Sequence, residues 1–352
     1  MRYSGLPFAK QGRDAMNWQG VASGDVNGDG LWDVFIPGRI RNHLYLNTPS
    51  GGFVEVADAW GVADAPGGTG VVFFDYDNDG DQDLFVGHPG TTPETAGPGV
   101  RAFENMRNKV FVERTAELGF TAQHAAYPLV AFDANLDGFV DLYVGSYGHL
   151  LSESNNSWVN ATNGRPDALY LNERGTAFRL ASKDHAVGGT AFTYAAAAAD
   201  VDRDGHLDLY LGNDFAPNSL LLGSTSGRFV ERAVSWGAEA PGNAMGVTFA
   251  DLDSNGELDV VVTHMASSAG DRILRHVAPE LRPEEHGAIA PFAAGNAILL
   301  RRGKSFTPLP ADAVGVASGW AWGPALADFD LDGDLDMYVT NGYVSGESEH
   351  DT

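Results

Sequence analysis

The sequence predicts an all-β fold: a β-propeller of six four-stranded blades that spans residues 1–352 as one domain. Three observations lead to this prediction. A nine-residue acidic loop occurs six times, with first residues 50 to 77 positions apart, β-type stretches flank every copy, and two more β-type stretches follow most copies. Four short strands in each such repeat make a propeller blade. Seven blades are the alternative if part of residues 264–296 forms a degenerate blade.

The acidic loops follow the pattern Asp-x-Asp/Asn-x-Asp/Asn-Gly-x-x-Asp. Side-chain oxygens at positions 1, 3, 5 and 9, and the backbone carbonyl at position 7, can converge on one hard cation because glycine at position 6 lets the chain turn sharply. In chain order, the residues at these five positions are Asp25, Asn27, Asp29, Leu31, Asp33; Asp75, Asp77, Asp79, Asp81, Asp83; Asp133, Asn135, Asp137, Phe139, Asp141; Asp200, Asp202, Asp204, His206, Asp208; Asp251, Asp253, Asn255, Glu257, Asp259; and Asp328, Asp330, Asp332, Asp334, Asp336. We expect about six Ca²⁺ ions, because calcium accepts six to eight oxygens in a flexible shell whereas magnesium requires a tighter octahedron.

Two other interpretations of the loops are weaker. Asp, Asn and Gly are also the residues of ordinary turns, but turn chemistry alone does not explain six copies with matching flanks. An EF-hand requires a glutamate at position 12 and a helix on each side, whereas position 12 here is apolar, from Ile36 in the first loop to Val339 in the last. The pattern therefore predicts calcium loops that join strands 1 and 2 of each blade.

Each predicted blade begins with a strand of small or apolar residues before the loop and continues with a β-type run after it, as in residues 70–74 and 83–87. Residues 195–199 are all alanine, a strong helix former, yet their place in the repeat predicts a first strand. Third strands are predicted at residues 44–47, 102–105, 169–172, 220–223 and 298–301. Fourth strands, whose phenylalanine can pack between blades, are predicted at residues 53–55, 111–113, 178–180, 229–231 and 306–308.

The last blade has only two predicted strands before the chain ends. The N-terminal segment near residues 6–8 resembles a fourth strand, and we expect it to close this blade non-covalently. Two long insertions interrupt the repeat, at residues 146–168 and 264–296. Within the second one, residues 278–285 are expected to form helical turns.

Composition limits the partners and the compartment. The formal net charge is −25, but loop positions 1, 3, 5 and 9, which offer side-chain ligands, alone hold 21 carboxylates, and six calcium ions would bring the charge to about −13. A nucleic-acid partner is not expected, since 22 Lys and Arg stand against 47 Asp and Glu. Cysteine is absent, which excludes disulfides and zinc–thiolate sites, and no apolar run is long enough for a membrane span. Although the N-terminus lacks the apolar stretch of a signal peptide, open calcium loops of this kind fill at millimolar calcium, so we expect a secreted or periplasmic protein.

The acidic loops, the Leu-Tyr-Val-Gly type of strand at residues 142–145 and the Phe-x-Glu fourth strands resemble the FG-GAP/VCBS repeat family, the integrin-α-like propellers. Within that family the chain is similar to bacterial proteins that resemble cartilage acidic protein. The resemblance covers nearly the whole chain and implies a calcium-binding propeller. It implies no single function, because members include adhesion modules, lectin-like binders and lyase scaffolds. Many relatives carry an ASPIC/UnbV domain after the propeller; none follows here, so we expect a single-domain member or a piece of a longer chain.

Candidate site residues concentrate on the face opposite the acidic loops, in the segments that enter first strands and leave second strands. Loops on a rigid scaffold commonly hold binding sites. The candidate catalytic histidines are His88, His124, His149, His185 and His264. The candidate ligand contacts are Trp18, Arg39, Tyr127, Tyr194, Trp320 and Trp322.

Three functional hypotheses follow from these residues. The first is a module that binds a small molecule, a glycan or a protein at this face, with calcium in a structural role. The alternative is an enzyme, a metal-dependent lyase, isomerase, cyclase or oxidase, whose histidines hold an additional transition metal or transfer protons. The third is an adhesion module within a larger protein. Spacing in the sequence does not show whether the histidines converge, since polar residues populate loops in any case.

Overall fold

The computed structural model describes residues 20–38, 41–64, 67–89, 97–107, 110–148, 155–265, 268–310, 313 and 319–341. Within them, 22 strands form five four-stranded antiparallel sheets and one two-stranded sheet. Strand order in every sheet follows chain order, and the first strand of each sheet contacts the first strand of the next sheet. The architecture is therefore all-β and propeller-like. The expected closing strand near residues 6–8 lies outside the described residues.

The strand bounds match the predicted repeat. The first two sheets contain β1 (Ala22–Gly24), β2 (Asp33–Ile36), β3 (His43–Asn47) and β4 (Phe53–Glu55), then β5 (Val71–Phe74), β6 (Asp83–Gly87), β7 (Val100–Asn105) and β8 (Phe111–Glu113). The next two contain β9 (Ala126–Phe132), β10 (Asp141–Ser146), β11 (Ala168–Asn172) and β12 (Phe178–Leu180), then β13 (Phe192–Ala199), β14 (Asp208–Asp214), β15 (Ser219–Leu222) and β16 (Val230–Glu231). The last two contain β17 (Ala244–Ala250), β18 (Asp259–His264), β19 (Ala297–Arg301) and β20 (Phe306–Pro308), then β21 (Ala321–Ala327) and β22 (Asp336–Asn341).

Every acidic loop connects the first and second strands of a sheet, as predicted. In all six hairpins the residue before the loop pairs with the aspartate at position 9, for example Phe74 with Asp83 and Ala199 with Asp208. The alanine run belongs to β13 and pairs along its length with β14. Pairing with a neighbouring strand thus outweighs the helix propensity of alanine.

The core lies between neighbouring sheets. Phe178 of the third sheet packs on Phe85 of the second sheet and on Phe120, with ring centroids 5.7 and 5.0 Å apart. Phe111 likewise packs on Trp60 at 5.7 Å. The fourth-strand phenylalanines are buried as expected, except for Phe53, which is 38% exposed. Such large apolar rings supply much of the area that holds one sheet against the next.

Within the described ranges, helices occur at two places. A short helix α1 (Ala233–Trp236) follows the fourth sheet, and the insertion before β19 contains α2 (Ser268–Val277) and α3 (Pro283–Ile289), with 3₁₀ turns at Ala278–Glu280 and Ala290–Ala293. The described part of residues 264–296 is thus helical between β18 and β19, which contradicts a degenerate seventh blade in this interval. None of the described helices is long and apolar enough to cross a membrane.

Candidate metal loops and ligand cavity

The six acidic loops share one hydrogen-bond pattern. In the second loop, the backbone N–H groups of Asp79 and Gly80 donate to the two carboxylate oxygens of Asp75 at 3.1 and 2.9 Å, and the N–H of Asp81 donates to Asp79 at 3.1 Å. The same three bonds recur in the other five loops. The six loops therefore adopt the same conformation, in which these hydrogen bonds fix the oxygen atoms that could bind a metal relative to one another.

Four of these loops bring three carboxylates together, each with an oxygen within 4.8 Å of the others. These groups are Asp75, Asp77 and Asp83; Asp200, Asp202 and Asp208; Asp251, Asp253 and Asp259; and Asp328, Asp330 and Asp332. An all-oxygen donor set with clustered negative charge fits a hard divalent cation such as calcium. Burial raises the pKa of Asp83 to about 8 and that of Asp141 to about 7. A cation beside these carboxylates would offset the cost of burying their charge.

The aspartate at position 9 also connects the loop to the third strand. Asp83 Oδ2 accepts the N–H of Tyr76 at 3.1 Å, and Asp83 Oδ1 accepts the N–H of Asn105 at 2.8 Å. The first five loops all have this pair of bonds, and their position-9 aspartates are at most 1% exposed. The sequence identified this position only as a metal ligand, since nothing in the pattern indicates the backbone partner.

Position 4 of every loop has a left-handed backbone, although only the first loop has glycine there. Leu136 has φ 57° and Leu331 has φ 63°. For a residue with a Cβ this conformation costs about 1 kcal/mol or more. Such strain persists where surrounding contacts fix the backbone, and here the hydrogen bonds from positions 5, 6 and 7 do so. The sequence pattern indicated a special backbone only at the glycine of position 6.

A cavity of about 700 Å³ lies at the ends of the first strands opposite the acidic loops. All six sheets contribute to its walls. The contributing residues lie in the first strands or next to them, except Thr340, which lies in the second strand β22. The lining residues are Gly20, Val21, Thr69, Gly70, Val71, Tyr127, Pro128, Leu129, Tyr194, Met245, Trp322, Gly323, Pro324 and Thr340. All of these residues are uncharged. The cavity thus offers apolar and aromatic walls with hydroxyl groups from threonine and tyrosine.

An aromatic cluster forms one side of this cavity. The rings of Tyr127 and Tyr194 lie 5.2 Å apart, and Tyr194 lies 6.3 Å from Trp322. Behind them, the Tyr147 hydroxyl donates to Asp214 Oδ2 at 2.6 Å. Burial raises the pKa of Tyr127 to about 12, so its hydroxyl is protonated and can donate at neutral pH.

The predicted ligand contacts are partly brought together. Tyr127, Tyr194 and Trp322 line the same cavity. Trp320 instead forms an isolated β-bridge with Met265 and is not among the lining residues. Trp18 and Arg39 lie outside the described residues.

The four candidate histidines within the described residues do not converge. His124 Nε2 is 2.7 Å from the Tyr170 hydroxyl, His264 Nδ1 is 2.7 Å from the Gly295 carbonyl, and His88 is buried after β6. Among the described residues, no group of side chains spaced to hold a metal contains a histidine. The described candidate histidines therefore form no second metal site, and His149 lies outside the described residues.

His185 lies on the face of the acidic loops and not on the opposite face, where the sequence predicts it. Its Nδ1 hydrogen-bonds the carbonyl of Gly227, which lies in the turn between β15 and β16. A Cβ added to Gly227 would lie 3.6 Å from Asn135 of the third acidic loop. His185 therefore belongs to the acidic-loop face. Its backbone carbonyl accepts the N–H of Phe229 at the start of the next fourth strand, as the Trp60 carbonyl accepts the N–H of Phe111.

Acid is expected to destabilise the wild type more than a His88→Gln variant. Burial, followed by the nearby Arg101, lowers the pKa of His88 to about 4, whereas an unfolded histidine titrates near 6.5. Between these values the unfolded chain binds a proton that the folded chain does not, so stability is lost as pH falls from 6.5 towards 4. At about 1.4 kcal/mol per pKa unit, the wild type should lose on the order of 3 kcal/mol more than the variant.

The measurement is denaturant unfolding of both proteins at pH 7 and pH 4 in the same calcium concentration. The loop carboxylates are common to both proteins, so their titration cancels in the difference. Equal losses in the two proteins would show that His88 is not held neutral by the fold.

Sequence comparison identifies the repeat. The model of the FG-GAP-like repeat matches residues 25–86 and 200–262. No curated protein matches the chain.

Three solved structures resemble the chain in fold at low identity. A lectin from Agrocybe aegerita that recognises non-reducing terminal N-acetylglucosamine is 15% identical with a TM-score of 0.46, covering 90% of this chain and 72% of the lectin. The V. cholerae biofilm matrix protein Bap1 is 15% identical with a TM-score of 0.40, covering 83% of this chain and 39% of Bap1. The Photorhabdus luminescens Tc holotoxin pore is 17% identical with a TM-score of 0.33, covering 70% of this chain and 11% of that chain. Each segment that the repeat model matches contains acidic loops that join two paired strands. The chain thus carries FG-GAP-like repeats at residues 25–86 and 200–262.

Proposed function

We propose that this chain is a calcium-stabilised six-bladed β-propeller that binds a neutral ligand, in the first place a glycan, in the cavity opposite the acidic loops. The observation that carries the proposal is the uncharged cavity of about 700 Å³ whose walls come from all six sheets. Ligand pockets commonly have this size and combine apolar and aromatic walls with a few polar groups.

The chemistry of the lining residues favours a neutral ligand over an ion. A buried charge requires a partner charge or several hydrogen bonds, and the lining residues provide no charged side chain. A sugar ring has apolar faces that pack on aromatic side chains and hydroxyl groups at its edge. The rings of Tyr127, Tyr194 and Trp322 supply the apolar contacts, and the protonated Tyr127 hydroxyl can donate to a sugar oxygen. The Thr69 hydroxyl, whose hydrogen is bonded to a backbone carbonyl, can still accept from a sugar O–H. A neutral small molecule or an uncharged protein loop would use the same groups.

Calcium has a structural role in this proposal. Each ion would neutralise three or four clustered carboxylates in a hairpin that joins the first two strands of a sheet. Open loops of this type bind calcium at about 0.1–1 mM, the range of extracellular modules. We therefore place the protein in a secreted or periplasmic compartment. The likeness to bacterial relatives of cartilage acidic protein stays a prediction.

The binding module takes precedence over the enzyme alternative because the described histidines lie apart. An acid–base or transition-metal site needs several groups within a few ångströms of one substrate. His88, His124 and His264 each contact different parts of the fold. No observation on the described residues thus favours catalysis.

Replacing Tyr194 by alanine is expected to weaken glycan binding by about tenfold or more, because a central aromatic contact is lost. A glycan array probed in millimolar calcium identifies the ligand, and titration calorimetry measures its affinity for wild type and Tyr194→Ala. Tyr338→Ala is the matched control, since Tyr338 is 62% exposed and is not among the lining residues. Absence of any neutral ligand on the array, or equal affinities in all three proteins, would contradict the proposed site.

A further inference from the structure

Two buried asparagines at the ends of third strands join neighbouring acidic loops. Asn105 ends β7 and is 2% exposed, and Asn172 ends β11 and is 3% exposed. The side-chain N–H groups of Asn105 donate to the backbone carbonyls of Val26 at 2.8 Å and Gln82 at 3.2 Å. Val26 belongs to the first loop and Gln82 to the second, so one amide holds both loops.

Asn172 makes the same bridge one sheet further along the chain. Its side-chain N–H groups donate to the carbonyl of Tyr76 in the second loop at 2.7 Å and to that of Val140 in the third loop at 3.0 Å. Its side-chain oxygen accepts the N–H of Gly175 at 2.7 Å. Since a carbonyl can only accept and a backbone N–H can only donate, these partners fix the orientation of the amide. The second loop is thus joined to the loops on both sides.

The bridges attach beside residues that are candidate metal ligands. Val26 follows the position-1 aspartate of the first loop, and its N–H donates to Asp33 Oδ2 at 3.0 Å. In the second loop, the backbone N–H of Asn105 donates to Asp83 Oδ1 at 2.8 Å. Because Asn105 bonds both loops, a change in the backbone of one loop alters the bond that holds the other.

The two bridges have no counterpart in the next two sheets. The equivalent residue of the fourth sheet is Gly223, whose N–H donates to Asp208 Oδ1 at 2.8 Å but which has no side chain. The equivalent residue of the fifth sheet is Arg301, whose Nε donates to the carbonyl of Gly303 in its own sheet. Within the described residues, the asparagine bridges therefore join the first three loops and do not continue to the fourth or fifth.

The three bridged loops differ in charge. The second loop has aspartate at all four side-chain ligand positions, whereas the first and third loops have asparagine at position 3, namely Asn27 and Asn135. The calcium affinity of oxygen-ligand loops depends on the number of charged ligands, so the second loop should fill at the lowest calcium concentration. The bridges connect this loop with the two weaker loops beside it.

We propose that Asn105 and Asn172 are positioning residues that make the first three loops bind calcium cooperatively, with the second loop filling first. The inference rests on the structural role of calcium proposed above. An ion in the second loop fixes its backbone, so the bridges hold the neighbouring loops in the binding conformation and lower the entropic cost of filling them. Electrostatics acts in the opposite direction, because a filled second loop attracts a neighbouring cation less than an empty one does. The sign of the coupling therefore separates the two effects.

Terbium luminescence measures binding at the first loop. Trp32 lies at position 8 of that loop and is 66% exposed. Excited tryptophan sensitises the emission of nearby Tb³⁺, a hard cation that takes oxygen ligands as calcium does, and the signal that is lost in Trp32→Phe belongs to the first loop. Asp77→Ala, which removes a candidate ligand of the second loop, should weaken Tb³⁺ binding at the first loop about fivefold or more. Asp202→Ala, at the same position of the fourth loop, is the matched control and should leave it unchanged.

The variant Asn105→Ala tests the bridge itself. In this background, Asp77→Ala should no longer change the affinity of the first loop, whereas an asparagine that only stabilised the fold would leave that change intact. If Asn105→Ala does not fold, the comparison of Asp77→Ala with Asp202→Ala still decides. Unchanged or tighter binding at the first loop in Asp77→Ala, or equal weakening by both variants, would overturn the coupling and leave the calcium role standing. No Tb³⁺ emission, together with no calcium bound in equilibrium dialysis, would overturn both.

Discussion

Removing calcium is expected to lower the melting temperature by more than about 10 °C. With a dissociation constant of about 0.2 mM, each loop at about 2 mM calcium adds about 1.4 kcal/mol of stability, and six loops add about 8 kcal/mol. For a chain of 352 residues, with an unfolding entropy of about 2.1 cal/mol/K per residue, 1 kcal/mol corresponds to about 1.4 °C. The physical cause is the clustered carboxylates: without a cation, groups such as Asp75, Asp77 and Asp83 repel each other within 4.8 Å. Calorimetric melts in 2 mM calcium and in excess EDTA measure the difference.

Two controls separate calcium from other ions. Added calcium should restore the melting temperature, whereas magnesium at the same concentration should restore little of it, because magnesium retains its waters in an open loop. Elemental analysis should find about six calcium ions per chain. An unchanged melt of protein shown to be metal-free would contradict a stabilising role. Stoichiometric zinc, copper, iron or manganese beside calcium would reopen the enzyme alternative.

The repeat made most of the fold predictable. The six copies of one loop show where the flanking strands begin and end. Once each hairpin is placed, the alternation of side chains between the two faces of a strand, with a period of two residues, fixes which residues face the neighbouring sheet. The alanine run before Asp200 illustrates the point: its intrinsic propensity favours a helix, yet its register with β14 is set by the loop that follows. Phe178 and its equivalents were predicted between blades for the same reason, since a repeat places equivalent residues in equivalent surroundings.

The site was less predictable because it depends on distances between repeats. His185 and His264 are both loop-proximal in sequence, yet one faces the acidic loops and the other lies against the helical insertion. No periodic pattern gives the path of an insertion. Hydrogen bonds from side chains to the backbone could not be predicted for another reason. Asp83 accepts the backbone N–H of Asn105, which is 22 positions away, and a residue of almost any type can supply such an N–H. Tyr127, Tyr194 and Trp322 could be placed together because all three lie at the start of a first strand.

Replacing Asp208 by alanine is expected to destabilise the protein by about 3 kcal/mol even without calcium. Asp208 Oδ2 accepts the N–H of Val201, and Oδ1 accepts the N–H of Gly223, both at 2.8 Å. Alanine leaves both backbone donors without this partner, at about 1–3 kcal/mol each. The expected total lies below the sum because burial of the carboxylate is itself unfavourable, which raises the pKa of Asp208 to about 6. Denaturant unfolding with calcium and with EDTA measures the effect.

The comparison with Asp204→Ala decides whether Asp208 is more than a metal ligand. Asp204 occupies position 5 of the same loop, is exposed, and accepts the N–H of His206 at 2.9 Å within the loop. Its replacement should cost about 1 kcal/mol in calcium, through the lost ligand, and a few tenths of a kcal/mol in EDTA. The difference between the two variants should therefore persist when calcium is removed. If the two variants instead become equally stable in EDTA, the bonds from Asp208 to Val201 and Gly223 contribute nothing, and position 9 serves calcium alone.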